Sequence, residues 1–241
     1  MYSEQHSCIF VHIPKCAGTS IEKKLGFIEE LGRRVQDHRT IRHIEPLSVA
    51  HAAQLTDPLD RRAIALYLRN RCLPGGRAVP SARQYRDAFK FTFVRNPWSR
   101  AYSWYRNVIR SEIHRKNFGV SPEASFGDFL EHHKDNWALR PQLFWLRDRS
   151  GALPMDFVGR FERLNDDWAH VAEELGIDDP SLPHLVEGSS PNTSTGSGQT
   201  PLPSSYVEAF DSRTRALVAE RYADEIRLFG YEFDDGYSTS H

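Results

Sequence analysis

The fold is decided by the stretch Cys8-Ile9-Phe10-Val11-His12-Ile13-Pro14-Lys15-Cys16-Ala17-Gly18-Thr19-Ser20. Its first six residues form an apolar run rich in β-branched side chains, which predicts a buried strand. The proline ends that strand, and the small residues after it predict a turn into a helix that starts at Ser20. Backbone N–H groups in such a turn bind anions, and Lys15, Thr19 and Ser20 add one cation and two hydroxyl donors. The stretch therefore predicts a phosphate or sulfate site, against the simpler reading of a strand-to-helix turn with a solvent-facing lysine.

A second strand-turn-helix pattern follows further along the chain. Phe89 to Val94 combines an alternating pattern with aromatic and β-branched residues, which predicts a strand. Asn96 is suited to cap the next helix and Pro97 to its first position. Two such units predict a parallel sheet whose carboxyl ends gather a ligand with phosphates at two places.

The remaining pattern predicts one further strand and several amphipathic helices. A polar stretch composed almost wholly of Gly, Ser, Thr, Asn and Pro, residues 188–200, predicts a mobile loop. The predicted strand is Phe157 to Phe161, and the predicted helices are Ser20 to Leu25, Leu59 to Cys72, the segment after Ser125, the segment from Asn165 to Gly176, and Tyr206 to Phe229.

Length and composition predict a single α/β domain over residues 1–241, because 39% hydrophobic residues in 241 are enough for one well-buried core. No run of 18 apolar residues and no signal-peptide pattern occurs, so we expect no membrane span and a cytoplasmic protein. Three cysteines without paired spacing predict reduced thiols and no structural metal. Cys16 is interpreted as a small filler residue, with a reactive thiol as the alternative.

The net charge of −1 conceals an asymmetry along the chain. Residues 1–155 carry 25 Lys and Arg against 15 Asp and Glu, whereas residues 156–241 carry 6 against 17. A basic first part suits a polyanionic ligand, although arginine-rich helices are commonly solvated faces. The arginines between Arg61 and Arg86 are open to both interpretations, an anionic acceptor surface or a solvated helix face.

Three motifs resemble those of sulfotransferases that use 3′-phosphoadenosine 5′-phosphosulfate (PAPS). Pro-Lys-x-x-Gly-Thr-Ser at residues 14–20 resembles the 5′-phosphosulfate loop, and it differs from a Walker A sequence because Lys15 precedes the glycine. Arg-Asn-Pro-x-x-Arg-x-x-Ser, from Arg95 to Ser103, is similar to the 3′-phosphate motif. The run Gly-Arg-Phe-Glu at residues 159–162 looks like a strand of the bacterial carbohydrate sulfotransferase class.

The resemblance implies a P-loop-NTPase-like sulfotransferase fold, with a central parallel sheet flanked by helices. It implies that Lys15 offsets charge on the departing 5′-phosphate, and that Arg95 and Ser103 bind the 3′-phosphate. Sulfuryl transfer of this kind needs no metal. The residues implied to bind PAPS are Lys15, Cys16, Ala17, Gly18, Thr19, Ser20, Arg95 and Ser103.

The acceptor hydroxyl needs a general base, and histidine suits this task because its unperturbed pKa lies near neutrality. His38 is the candidate, because related bacterial sequences carry a His-x-Thr element in this part of the chain. A solvent-exposed histidine in a polar loop is the alternative. His43 and His51 are further candidates, and His12, in the predicted strand, is interpreted as structural.

The sequence leaves three functions open. The first is transfer of a sulfuryl group from PAPS to an acceptor hydroxyl, which by resemblance belongs to a carbohydrate or glycolipid. The second is a nucleotide kinase, for which a Walker A lysine and an Asp-rich magnesium element are missing. The third is a non-catalytic adenine-nucleotide-binding module. We expect no nucleic-acid partner.

Overall fold

The computed structural model describes residues 1–28, 36–48, 58–73, 77–133, 135–183, 202–203 and 205–234. It divides into two compact units. The first comprises Met1–Val94 and Gln142–Pro183, and the second comprises Arg95–Pro141 and His184–His241. The prediction of a single domain over residues 1–241 stays a prediction. The predicted loop at residues 188–200 lies outside the described residues.

A four-stranded sheet forms the centre of the first unit. Its strands are β1 (Tyr2–Ser3), β2 (Cys8–Val11), β3 (Phe89–Val94) and β4 (Phe157–Arg160), in the order β1-β2-β3-β4. Strands β2, β3 and β4 are parallel, with Val11 paired to Thr92, so their carboxyl ends lie at one edge. The Thr92 hydroxyl donates to the Val11 carbonyl oxygen at 2.8 Å, which ties β3 to β2 inside the core.

The sheet was predicted as parallel, and β1 departs from that prediction. Residues Tyr2 and Ser3 pair antiparallel with β2. A strand of two residues is too short to show a periodic apolar pattern, so β1 could not be predicted from the sequence. It is defined by its hydrogen bonds to β2. The three longer strands were predicted: β3 has the expected bounds, whereas β2 ends two residues before Ile13 and β4 ends one residue before Phe161.

Helices flank the sheet of the first unit. The Trp168 side chain is fully buried and its ring centroid lies 6.5 Å from that of Phe91, so the helix that carries it packs on β3. Ile21, also fully buried, fixes the helix that follows β2. The helices of this unit are α1 (Gly18–Lys24), α2 (Ile41–Ile44), α3 (Pro58–Cys72), α4 (Ala82–Asp87), α8 (Leu143–Leu146) and α9 (Leu164–Glu174).

The second unit is helical and its core is aromatic. The Tyr105 ring lies 5.2 Å from Phe126 and 5.4 Å from Phe129, and Phe210 packs edge-on to Phe126 at 4.7 Å. The sequence predicted one long helical region from Tyr206 to Phe229, and the structure has three helices there. The helices of this unit are α5 (Pro97–Arg110), α6 (Glu112–Phe118), α7 (Phe126–His133), α10 (Tyr206–Ala209), α11 (Ser212–Arg221) and α12 (Ala223–Phe229).

Candidate functional site

The loop between β2 and α1 has an unusual backbone. Lys15 and Ala17 have φ angles of 67° and 61°, in the left-handed region that non-glycine residues rarely adopt. Cys16 lies between them outside that region. Alternation of left-handed and other conformations turns successive backbone N–H groups to one side, as in anion-binding nests. Strained backbone of this kind is concentrated at functional sites.

The start of α1 leaves its first turn without a side-chain cap. Ala17 is the N-cap residue and has no side chain that can accept a hydrogen bond, and no acidic residue occurs in the first turn. Most helices cover these donors with Ser, Thr, Asp or Asn. The uncapped first turn is compatible with an anion on this side of the loop.

The loop residues that were predicted to bind PAPS differ in burial. The side chains of Lys15, Thr19 and Ser20 are half-buried, whereas Gly18 is buried. The Cys16 thiol is 1% exposed and lies 3.4 Å from Gln142 Oε1 and 3.7 Å from the Pro14 carbonyl oxygen. Its inward orientation favours the interpretation of Cys16 as a filler residue over that of a reactive thiol.

A chain of polar groups links the loop to His38. The Gln36 side-chain nitrogen lies 2.6 Å from Thr19 Oγ1, and its oxygen lies 3.1 Å from His38 Nε2. His38 Nδ1 lies 3.2 Å from the His12 carbonyl oxygen. Because a carbonyl oxygen only accepts, Nδ1 carries a proton. The structure therefore brings His38, a predicted site residue, next to the loop that precedes α1.

The protonation state of His38 follows from its surroundings. Burial, followed by the proximity of His12, lowers the pKa of His38 from 6.5 to about 4, so the ring is neutral at pH 7. A neutral ring with its proton on Nδ1 has a lone pair on Nε2. In the structure the Gln36 oxygen faces Nε2 and its nitrogen donates to Thr19, so a neutral ring with its proton on Nδ1 requires the Gln36 amide to be rotated by 180°. His38 is thus able to accept a proton at Nε2.

The other candidate histidines lie in different surroundings. Burial, followed by nearby Arg39, lowers the pKa of His43 to about 4, and its Nδ1 lies 2.8 Å from the Thr40 hydroxyl in the cap of α2. His51 lies outside the described residues. His12 is buried with its Nδ1 2.6 Å from Glu22 Oε1, in keeping with a structural role.

In the second unit, Arg95 is held by a serine that the sequence analysis did not assign. Arg95 Nε donates to Ser99 Oγ at 3.0 Å. Ser99 and the half-buried Ser103 are four residues apart on α5, so they share one face of that helix. The four-residue spacing between Ser99 and Ser103 is visible in the sequence and could have identified Ser99 as a site residue. Ser103 therefore lies on the same face of α5 as Ser99, the residue that orients Arg95.

The N-terminus of α5 differs from that of α1. Asn96 Oδ1 accepts from the backbone N–H groups of Trp98 and Ser99, as the predicted cap does, so these donors are occupied. Asn96 Nδ2 also donates to the Glu232 carbonyl oxygen at 2.8 Å. Anion binding at this motif would accordingly depend on side chains rather than on the capped amides.

Arg100, the other arginine of the motif, is 1% exposed and donates to backbone carbonyls. Its guanidinium contacts the Ala138 carbonyl oxygen at 2.6 Å and the Arg140 carbonyl oxygen at 3.0 and 3.1 Å. The sequence left two interpretations of Arg100 open, a structural pair with a carboxylate or a contact with the nucleotide. These contacts give it a structural role, because they hold the 138–140 segment.

Two kinds of feature are absent from the described residues. In that part of the chain, no group of three or more His, Cys, Asp and Glu side chains is arranged to hold a metal ion. No helix within the same ranges is long and apolar enough to cross a bilayer. The three cysteines are free thiols, and only Cys72 is exposed.

Comparison with protein families decides the assignment. A model of the sulfotransferase family matches residues 1–232, nearly the whole chain. The chain belongs to the sulfotransferase family. The loop at Lys15 and the motif at Arg95 both lie within the matched residues, so the candidate site lies inside the family region.

Two relatives are similar to the chain over part of its length. Carbohydrate sulfotransferase 14 of Danio rerio is 26% identical over 140 residues, which cover 49% of the present chain and 37% of the relative. An uncharacterised protein of Archaeoglobus fulgidus is 33% identical over 90 residues, covering 36% of the present chain and 67% of the relative. No solved structure matches significantly, so a P-loop-NTPase-like fold stays a prediction.

Proposed function

We propose that this sulfotransferase transfers a sulfuryl group from PAPS to a hydroxyl group of a carbohydrate acceptor. The observation that carries the proposal is the β2-loop-α1 element, in which Thr19, four residues after Lys15, is linked through Gln36 to His38. Family membership supports sulfuryl transfer in general. The carbohydrate acceptor is inferred from the name of the Danio rerio relative.

The donor is assigned to two motifs. We assign its 5′-phosphosulfate to residues 15–20, where backbone N–H groups and the Thr19 and Ser20 hydroxyls donate to phosphate oxygens. We assign the 3′-phosphate to Arg95 and Ser103, since an arginine recognises phosphate through two parallel hydrogen bonds. The contact between Arg95 and Ser99 supports this role, because it fixes the guanidinium before any ligand binds.

The reaction is an in-line displacement at sulfur. The acceptor oxygen forms a bond to sulfur, and the bond from sulfur to the bridging oxygen of the 5′-phosphate breaks, leaving its electron pair on the product nucleotide. Lys15 stabilises the negative charge that develops on that oxygen. Positioning and charge stabilisation carry most of the catalysis in group transfers of this geometry.

His38 is proposed to take the acceptor proton. Its Nε2 has a lone pair at pH 7, because burial keeps the ring neutral. The acceptor hydroxyl would replace Gln36 as the partner of Nε2, and Gln36 would keep its contact with Thr19. A positioned histidine base contributes about 10²- to 10⁴-fold to a rate, and the lowered pKa of His38 places its contribution at the lower end of that range.

Nucleotide binding tests the assignment of the two motifs. Calorimetry without magnesium would compare 3′-phosphoadenosine 5′-phosphate with adenosine 5′-phosphate, which lacks the 3′-phosphate. We expect the first to bind at least about tenfold more tightly, because charge-assisted hydrogen bonds are each worth about 1.5–3 kcal/mol. Arg95→Ala should remove this preference, whereas Arg110→Ala, an exposed position at the end of α5, should keep it. Equal affinities in the unmodified chain would contradict the assignment.

A further inference from the structure

Glu22 is a buried carboxylate that the proposed reaction does not use. It lies in α1, seven residues after Lys15, and is 1% exposed. Its Oε1 lies 2.6 Å from Nδ1 of His12, which is itself 2% exposed. Burying such a pair is costly, and replacing it by apolar residues is commonly neutral or stabilising. Its presence is therefore better explained by what it orients than by the stability that it adds.

The same oxygen accepts a second hydrogen bond. The backbone N–H of Asp37 donates to Glu22 Oε1 at 3.1 Å. Asp37 directly precedes His38, so this bond fixes the backbone that carries the candidate base. One carboxylate oxygen thus holds a side chain at the end of β2 and the main chain of the 36–39 segment.

His12 completes the connection between Glu22 and His38. The His12 carbonyl oxygen accepts from His38 Nδ1 at 3.2 Å, and the two rings lie 4.2 Å apart between centroids. The bond to the carbonyl places a proton on Nδ1, so Nε2 is the proton acceptor when the ring is neutral. His38 is accordingly held from two sides, and both contacts lead back to Glu22.

The other face of His12 contacts the loop. A Cβ atom on Gly18 would lie 1.9 Å from His12 Cδ2 and 2.2 Å from Nε2, so the ring packs against the glycine backbone. The orientation that Glu22 gives to this ring therefore also sets the space available to the loop.

We propose that Glu22 is a positioning residue for sulfuryl transfer, whose carboxylate holds His12 and the Asp37 amide so that His38 presents Nε2 to the acceptor. This inference rests on the proposed function, in which His38 is the base. Glu22 touches neither donor nor acceptor. Its loss should lower kcat through His38 and leave the affinity for the nucleotide nearly unchanged.

Transfer of radiolabelled sulfur from PAPS to dextran and to unsulfated chondroitin, a neutral and an anionic probe, tests the inference. Glu22→Asp keeps the charge but shortens the side chain by one methylene group, so the carboxylate moves away from His12 and the Asp37 amide. We expect this variant to lower kcat about tenfold. Glu22→Gln keeps an oxygen that can accept both hydrogen bonds, and should retain kcat within about threefold. The KM for PAPS should change less than about twofold in both variants, since neither residue change touches the donor.

A double-mutant cycle separates positioning from general stability. If Glu22 acts through His38, then Glu22→Asp should have no further effect on kcat in a His38→Ala background. The matched control is Asp167→Glu, which alters another buried carboxylate that accepts a backbone N–H, from Arg160 at 2.6 Å. This control should lower the thermal midpoint and leave kcat per folded molecule unchanged.

Nitrogen NMR of histidine-labelled protein gives a readout that does not need activity. The unmodified chain should show His38 as a single tautomer with its proton on Nδ1, and Glu22→Asp should show a mixture of tautomers. A single tautomer in Glu22→Asp would overturn the inference, as would wild-type kcat or additivity with His38→Ala. If the unmodified chain transfers no label to either glycan, the proposed function fails, and the NMR result alone decides whether Glu22 positions His38.

Discussion

Gly18 is the residue at which the loop is most sensitive to a small change. Its φ angle is not in the left-handed region, so the constraint is the His12 ring, which leaves no space for a Cβ atom. A core that must accommodate an extra carbon shifts side chains and backbone. The requirement for glycine at this position therefore follows from close packing.

We expect Gly18→Ala to lower the free energy of unfolding by about 1–3 kcal/mol, because of this overlap. Urea unfolding followed by tryptophan fluorescence would measure the change. The matched control is Gly127→Ala in α7, where the nearest atom to an added Cβ, Thr214 Cγ2, is 3.6 Å away. The control should be neutral or stabilising, and a neutral Gly18→Ala would show that the His12 ring moves aside.

His38 predicts a pH dependence of stability. Its pKa is about 4 in the folded chain because of burial, against about 6.5 when unfolded. Between these values the unfolded chain binds more protons, so the contribution of His38 is fully present above pH 6.5 and is lost as the pH falls towards 4. The pKa of His43, lowered by burial and by Arg39, adds in the same direction.

Unfolding midpoints in urea at pH 7.5 and pH 5 would measure this effect. His38→Gln should reduce the difference between the two midpoints, because a glutamine does not titrate. His132→Gln, at an exposed position in α7, should leave the difference unchanged. An undiminished difference in His38→Gln would contradict the assigned environment of His38.

Residues in this network could be predicted only in part. Lys15 and Thr19 are visible in the sequence because they lie within one short motif. The contacts of His38 with the His12 carbonyl oxygen, and of Asp37 with Glu22, join segments 15 or more residues apart. Such contacts depend on the tertiary fold and leave no local pattern. Ser99 was overlooked although its spacing from Ser103 is one helical turn.

At the scale of elements, α5 depends on its N-terminal cap. Asn96 accepts from two backbone N–H groups at the start of the helix and donates to the Glu232 carbonyl oxygen. We expect Asn96→Ala to lower the free energy of unfolding by about 1–2 kcal/mol, because capping and a buried hydrogen bond are lost together. Chemical unfolding would measure this.

Ser111→Ala is the matched control for the cap. Ser111 Oγ accepts from His114 N–H at the start of the short α6, which has no buried residues. We expect a loss of about 0.5–1 kcal/mol there. Equal effects of the two substitutions would indicate that Asn96 contributes as a simple cap and that its bond to Glu232 adds nothing.

Elements with a strong local signal were predicted, and those without one were not. Strand β3 and helix α5 were predicted because periodic apolar residues coincide with a cap and a proline. Helix α4 was missed because it has no buried residues, although Ser81 and Gln84 form a capping box. The break before α11 has a similar signal, since Asp211 and Thr214 cap each other reciprocally.

At the scale of the whole molecule, sulfotransferase family membership covers nearly the full chain, and an α/β class was predicted from two strand-turn-helix patterns. The antiparallel β1 was not predicted. The division into a sheet-containing unit and a helical unit was not predicted either, because the sequence has no linker-like composition at residues 94–95 or 141–142. Each unit is built from two separate segments of the chain, so the division depends on tertiary packing and leaves no local pattern in the sequence.

The central claim is that the chain transfers a sulfuryl group from PAPS with the help of Lys15. Transfer of radiolabelled sulfur from PAPS to a glycan, without magnesium, measures this most directly. We predict transfer by the unmodified chain, a loss of at least about 100-fold in kcat for Lys15→Ala because charge on the departing oxygen is no longer offset, and wild-type transfer by Lys23→Ala, an exposed lysine of α1. Transfer by Lys15→Ala at the wild-type rate, or transfer of phosphate from ATP with magnesium in place of sulfur from PAPS, would contradict the account.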